Sequence, residues 1–223
     1  MSNQNISYTT SQASVLSTNK VLRNTYTLLS MTLLFSALTA GVSMAIDPPH
    51  FISLVTSLVA IGLIWFVLPK TANTSKGLYV VFAFTGLLGF GLGPMLNSYL
   101  HTANGGQIIM TALGGTGIIF LALSAYALTT RRDFSFMGGM LMVGMIVIFI
   151  AAIANIFLAI PALSLTISAV VILLMSGLIL FDTSRIIHGG ETNYIMATVS
   201  LYLNIYNIFV SLLQLLGVFG SDD

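Results

Sequence analysis

An all-α fold of seven membrane-crossing helices is what this sequence predicts, and three observations predict it. Of 223 residues only 7 are Lys or Arg and 6 are Asp or Glu, a charged fraction of 6% against the roughly 25% of an ordinary soluble domain. Apolar residues make up 57% of the chain and the mean hydropathy is +1.00, so most of the polymer has hydrocarbon for its solvent. The basic residues fall in four tight groups: Lys20 with Arg23, Lys70 with Lys76, Arg131 with Arg132, and Arg185.

The intervals between those groups set the crossings. Residues 24–69, 77–130 and 133–184 contain no Lys or Arg, and each is long enough for two spans of roughly 20 residues and a turn. Each therefore leaves the basic side and returns to it. Residues 186–223 hold one apolar run and end in Asp222 and Asp223, so the chain crosses once more. The spans predicted are 24–46, 51–68, 78–99, 107–128, 136–159, 162–182 and 194–219. Helices satisfy their own backbone hydrogen bonds inside a bilayer, whereas a barrel would show short alternating segments.

The turns remote from the basic groups are short: Asp47-Pro48-Pro49-His50, residues 101–106, and the neighbourhood of Pro161. They leave no room for a soluble catalytic domain. Pro48, Pro49, Pro69 and Pro161 sit at helix ends, where a missing N–H does least damage. Pro94 does not. With Gly93 it forms the candidate kink of the third helix, behind Gly86, Gly89 and Gly91, and a bend or local break is expected there. The positive-inside rule places the N-terminus and the basic loops in the cytoplasm and the C-terminus outside. The chain then divides into a flexible cytosolic tail at 1–23, a seven-helix domain at 24–219 and a short periplasmic C-terminus at 220–223. The first 19 residues carry no charge and are rich in Ser, Thr, Asn and Gln, which lack the apolar mass to offset ordering entropy.

Polar atoms within the spans are few. Ser200, Asn204, Asn207, Ser211 and Gln214 recur in steps of four and three and so share one face of the last helix. That face is expected to point inward, which makes the last helix central. Interhelical hydrogen bonding is favoured for the stripe over a conduction path. Asp182 lies near the basic end of the sixth span, with Arg185 three residues on. Two readings stand: an interfacial ion pair, or a titratable gate. Asp182, Arg185, Asn204 and Asn207 are thus the candidate gate or polar core. His188 is expected in a solvated turn made by Gly189 and Gly190. Small residues, among them Ala37 with Gly41, Gly89 with Gly93, Gly114 and Gly115 with Gly117, and Gly138 with Gly139, are assigned to close helix packing.

Other chemistry lacks a basis in the residues. Without cysteine there is no disulfide framework or thiolate metal site, and the eleven methionines read as adaptable core rather than a metal relay. A net charge of +1 gives no global attraction to nucleic acid. No nucleotide-binding glycine loop, HExxH or GxSxG is present, and no second intramembrane carboxylate pairs with Asp182. Neither an enzyme nor a cofactor is expected.

The run Phe84-Thr85-Gly86-Leu87-Leu88-Gly89-Phe90-Gly91-Leu92-Gly93-Pro94, followed by Gly115-Thr116-Gly117-Ile118-Ile119-Phe120, resembles the signature of the Bax inhibitor-1 family. Phe181-Asp182-Thr183-Ser184, the stretch His188 to Tyr194, and Leu201 to Phe209 are similar to that family's last two helices. Lys20-Val21-Leu22-Arg23-Asn24-Thr25-Tyr26 is similar to its bacterial inner-membrane members. The resemblance implies a protein of the inner membrane that binds the ATP-dependent protease FtsH, or its membrane partners, and modulates degradation of membrane proteins. It also implies that the N-terminal tail is what faces the protease. Other members resemble calcium leak channels gated by two aspartates, so the alternative function is a calcium or proton leak gated at Asp182. Asn204 occupies the second aspartate position here and cannot lose a proton, so a shared-proton carboxylate pair cannot form. Counting residues from a turn at Gly189-Gly190 puts Asn204 deeper than Asp182 at about 1.5 Å per residue.

Overall fold

A computed structural model describes residues 3–219 except residue 103, with side chains from residue 18 to residue 218. Its seven long helices are α1 (Asn3–Ile46, crossing as Thr18–Ile46), α2 (Phe51–Thr71), α3 (Lys76–Leu100), α4 (Gly105–Thr130), α5 (Ser135–Leu158), α6 (Pro161–Ile187) and α7 (Tyr194–Phe219). Each is long and apolar enough to cross a membrane, and no strand occurs among the described residues. The all-α seven-span architecture matches the sequence.

Three helix ends and one expected break stand apart from the expectation. The backbone of α1 is helical from Asn3, upstream of the expected span. Residues 3–24 contain no proline, and extending an established helix adds one hydrogen bond per residue without a new nucleus. Residues 1–2, the side chains of residues 3–17 and all of 220–223 lie outside the described residues, so of the tail expected at 1–23 only the backbone from Asn3 and the side chains from residue 18 are described, and the C-terminal segment expected at 220–223 is not. Helix α2 continues to Thr71 through a π-helical turn at Leu63–Val67. Pro69 has no N–H for the Trp65 carbonyl, and a widened turn accommodates the loss. Helix α6 runs past the expected end at 182 to Ile187 because Thr183, Ser184 and Ile186 are themselves buried. Finally, α3 is one uninterrupted α-helix from Lys76 to Leu100 with Pro94 inside it, so the local break is not there.

Two helices form the interior. The last helix packs against α1, α3, α4 and α6, as its polar stripe suggests, but α3 is the most buried span and α7 the next. Glycine explains the position of α3. A Cβ on Gly86 would strike the Phe35 ring, one on Gly89 the backbone of Ser36, and one on Gly93 the Ser43 side chain, all on α1. A Cβ on Gly91 would strike Thr56 of α2. The helix is thus clasped from two sides, and the Ser53 hydroxyl donates to the Gly91 carbonyl at 2.6 Å. At the centre Phe84 of α3 meets Tyr202 of α7 edge to face, with centroids 5.6 Å apart. The Tyr202 hydroxyl lies 2.6 Å from Ser36 Oγ and donates to the Thr85 carbonyl at 3.3 Å, tying α1, α3 and α7 together.

The assignment of all small residues to packing is corrected. Gly138 sits under Phe181, but a Cβ on Gly41, Gly114, Gly117 or Gly139 would meet nothing within 4 Å. Helix α5 packs against α6 alone among the long helices and is the least buried span.

The ends of α1, α4 and α5 share an unsignalled device: Asp47, Arg131 and Ala159 adopt φ of 52°, 49° and 50°, the left-handed region usually given to glycine. Side chains secure two of these turns. Asn97 Nδ2 donates to the Met44 carbonyl at 3.0 Å and to Asp47 Oδ1 at 2.7 Å. Asn155 Oδ1 accepts from the Ile160 N–H at 3.1 Å, while its amide reaches Ser164 Oγ at 2.6 Å.

Candidate polar site at the α6–α7 interface

Asp182 is 8% exposed, a carboxylate that must be satisfied from within the bundle. Two donors from α7 converge on one oxygen: Ser200 Oγ reaches Asp182 Oδ2 at 2.6 Å and Asn204 Nδ2 at 2.8 Å. Ser200 and Asn204 are one helical turn apart and so share a face. By residue count Asn204 stays the deeper of the two: Asp182 stands five residues, about 7 Å, from the end of α6, and Asn204 ten residues from the start of α7. Their side chains nonetheless meet, because each leans toward the N-terminus of its own helix and the antiparallel helices thereby tilt them toward each other.

Arg185 does not pair with Asp182. It lies 3.7 Å from Glu191, donates to the Gly190 carbonyl at 3.3 Å, and stands over the Phe181 ring at 5.6 Å. The turn explains the choice. Gly189, at φ +74°, and Gly190 fold the chain back so that Gly190 and Glu191 N–H groups both bond the Arg185 carbonyl, at 2.8 and 3.2 Å. The guanidinium then finds its partners outward, where the ion pair is hydrated, rather than inward. Asn207 also stays apart, its amide bonded to the Leu203 carbonyl of its own helix at 2.8 Å. Lower on the stripe, Gln214 Oε1 accepts from Ser168 Oγ of α6 at 2.8 Å. The stripe joins α6 to α7 at both ends.

Two residues outside the candidate set organise the surroundings. Asn193 caps α7, its Oδ1 accepting from the N–H groups of Ile195 and Met196 at 2.9 and 3.2 Å. Its amide reaches the Ala72 carbonyl at 3.0 Å and Asn73 Oδ1 at 2.8 Å in the α2–α3 loop. Asn just before an apolar run is a sequence-level cap signal; its second role is not. Ser184, fully buried, accepts from the Phe134 N–H at 3.0 Å and donates to the Arg132 carbonyl at 3.2 Å, latching the α4–α5 loop. His188 is exposed beside it, its Nδ1 2.9 Å from the Ser184 carbonyl. In the same loop Asp133 accepts from the hydroxyl and the N–H of Ser135 at 2.5 and 2.9 Å. These bonds hold its carboxyl below the usual carboxylate range.

A cavity of about 580 Å³ opens at the basic end, lined by Asn19, Leu22, Arg131, His188 and Glu191 among others. A second, of about 440 Å³, lies between α1 and α4. Asp182 lines neither.

Fold and site together define a helical membrane protein of seven spans whose last two helices are joined through a buried aspartate. The chain belongs to the family described as "Inhibitor of apoptosis-promoting Bax1", which matches residues 18–221. It is 58% identical, over 212 residues and 95% of each chain, to the "Modulator of FtsH protease YccA" of Escherichia coli strain K12. It is equally similar to a protein of E. coli O6:H1 named "Inner membrane protein YccA", and 53% identical, over 96% of each chain, to an uncharacterized membrane protein of Vibrio cholerae serotype O1.

Proposed function

We propose that this protein is an inner-membrane regulator that binds the ATP-dependent membrane protease FtsH, or its membrane partners, and slows degradation of membrane proteins without chemistry of its own. The observation that carries this reading is 58% identity across 95% of both chains to a relative named for that modulation. The geometry agrees with binding as the mode of action. Loops are short, and α5 offers a membrane-plane surface in which Met142, Val143, Ile146, Phe149 and Ile150 are all exposed, the kind of apolar face another span can cover. In this reading the N-terminus is cytoplasmic and the C-terminus periplasmic, which the basic groups at one end support.

Co-purification from detergent with FtsH, together with the half-life of a membrane substrate in cells overproducing the chain, tests the proposal. Association and a lengthened half-life are expected; neither occurring rejects it. Reporter fusions at the two ends test the orientation. The alternative of a proton route rests on the depth of Asp182 and predicts flux into proteoliposomes that Asp182→Asn abolishes. It has less support, because the carboxylate is bonded to Ser200 and Asn204 and lines neither cavity.

A further inference from the structure

The bundle is open along one side. The backbones of α1 and α4 stay apart, with no Cα pair within 8 Å among the described residues. The Tyr26 and Phe120 rings, 6.0 Å between centroids, close the gap toward the basic end. Above them, in the half of the bundle remote from the basic loops, lies the cavity of about 440 Å³, with α1 and α4 as walls and α3 and α7 behind.

Three features describe its natural content. The walls are apolar and lined by small residues, and the glycines there serve no contact within the chain: Gly41 on α1 and Gly117 on α4 both line the cavity, and a Cβ on either would meet nothing within 4 Å. Elsewhere in the protein, as at Gly89 and Gly93, the missing Cβ is filled by a neighbouring helix. Of the polar side chains that line the cavity, Ser36, Tyr202 and Thr116 are already engaged, and the Tyr206 hydroxyl alone makes no hydrogen bond among the described residues. Ser36 and Tyr202 bond each other, Tyr202 bonds Thr85, and Thr116 bonds the Ala112 carbonyl at 2.7 Å. A water there would find the Tyr206 hydroxyl but not the two to four polar partners it needs. An empty space of this size would leave its lining without dispersion partners. Leu38, Val42, Ile118 and Leu121, each next in sequence to a lining residue, are exposed, and in a spanning helix that means exposed to lipid.

Size selects among apolar occupants. A helix is about 10–12 Å across with its side chains, so even a few turns of one exceed the space available. A single extended hydrocarbon chain does not. We propose that the α1–α4 cavity is a binding site for one acyl chain of a bilayer phospholipid, which enters sideways between the two helices from the leaflet opposite the basic loops.

The test uses the full-length protein in vesicles of phosphatidylethanolamine and phosphatidylglycerol, doped with a phosphatidylethanolamine that carries a diazirine near the end of one acyl chain. After irradiation, adducts are mapped by mass spectrometry. Adducts at Ala37, Leu113 and Phe120 are expected to exceed those at Phe149, on the lipid-facing side of α5, by several-fold. Gly41→Leu and Gly117→Leu put a side chain into the cavity at points where a Cβ meets no neighbour, so each is expected to lower the cavity adducts several-fold and leave Phe149 unchanged. Cavity labelling no greater than at Phe149, or labelling that both variants leave intact, overturns the proposal. So does a photoreactive residue at Leu113 that captures another polypeptide in place of lipid. If a filled variant fails to fold, the ratio in the unaltered protein decides.

Discussion

Asn204 of α7 donates to the buried carboxylate of Asp182 on α6 at 2.8 Å, on the same oxygen that Ser200 reaches at 2.6 Å. Intramembrane hydrogen bonds couple by about 0.6 kcal/mol on average and up to about 1.7. Asn204→Ala is therefore expected to lower the thermal stability of the detergent-solubilised protein. A double-mutant cycle with Asp182→Asn should return a coupling of about 0.6–1.7 kcal/mol. Simple additivity of the two substitutions would mean that the contact carries no stability.

Glycines of two kinds make opposite predictions for the same substitution. Gly89 and Gly93 face Ser36 and Ser43 so closely that a Cβ has no place, whereas Gly41 and Gly117 face open space. Gly89→Leu must push α1 from α3 and is expected to cost more than the about 1–3 kcal/mol of ordinary overpacking, enough to abolish folded, monodisperse protein. Gly41→Leu is expected to be neutral or mildly stabilising, since leucine is the better helix former by several tenths of a kcal/mol. Size-exclusion profiles and melting temperatures of the two variants check this, and equal behaviour would contradict the packing described.

The crossings were legible in the sequence because lipid makes a one-dimensional demand: apolar runs of a set length, separated by the four basic groups. Asp182 and Asn204 stood out as well, being ionisable and amide groups where hydrocarbon surrounds the chain. Their contact did not, because residue counting from the turn puts Asn204 deeper, and whether the two side chains bridge that offset depends on how the two helices stand against each other. Arg185 was misplaced for a related reason: spacing of three along a helix brings it near Asp182, but the Gly189–Gly190 turn supplies competing partners that no helical periodicity encodes. Nor does sequence distinguish Gly89 from Gly117, since both are glycines in apolar helices and only the neighbouring helix separates them.

Asn193 has two duties that a pair of substitutions can separate. As the cap of α7 it is replaceable by aspartate or serine, and loss of a cap to alanine costs about 0.5–2 kcal/mol. Its amide, however, also donates to Ala72 and Asn73, and a carboxylate cannot do so. Asn193→Asp is expected to keep the helix start but loosen the α2–α3 loop, and Asn193→Ala to lose both. Hydrogen exchange over residues 72–76 and 194–198 reads the difference. Equal protection in the aspartate variant and the unaltered protein at 72–76 would show that the link between loops is dispensable.

Ser184 holds the α4–α5 loop to α6 through the Phe134 N–H and the Arg132 carbonyl, and that loop contains Arg131 and Arg132. Arg131, Arg132, Asp133 and Ser135 of that loop are exposed, so in Ser184→Ala the freed backbone groups can turn to water, and the segment opens more often. Each lost hydrogen bond of about 1 kcal/mol multiplies the open population roughly five-fold, and cleavage of a briefly opened segment follows that population when reclosing is fast. Trypsin treatment of the detergent-solubilised protein is expected to cut Ser184→Ala after Arg131 and Arg132 at least several-fold faster than the unaltered chain. Cleavage after Arg23, which Ser184 does not touch, is expected to keep its rate and serves as the internal reference. A uniform acceleration at all three sites would instead point to global loosening, and an unchanged ratio would show that the loop is held by Asp133 and Ser135 without the latch.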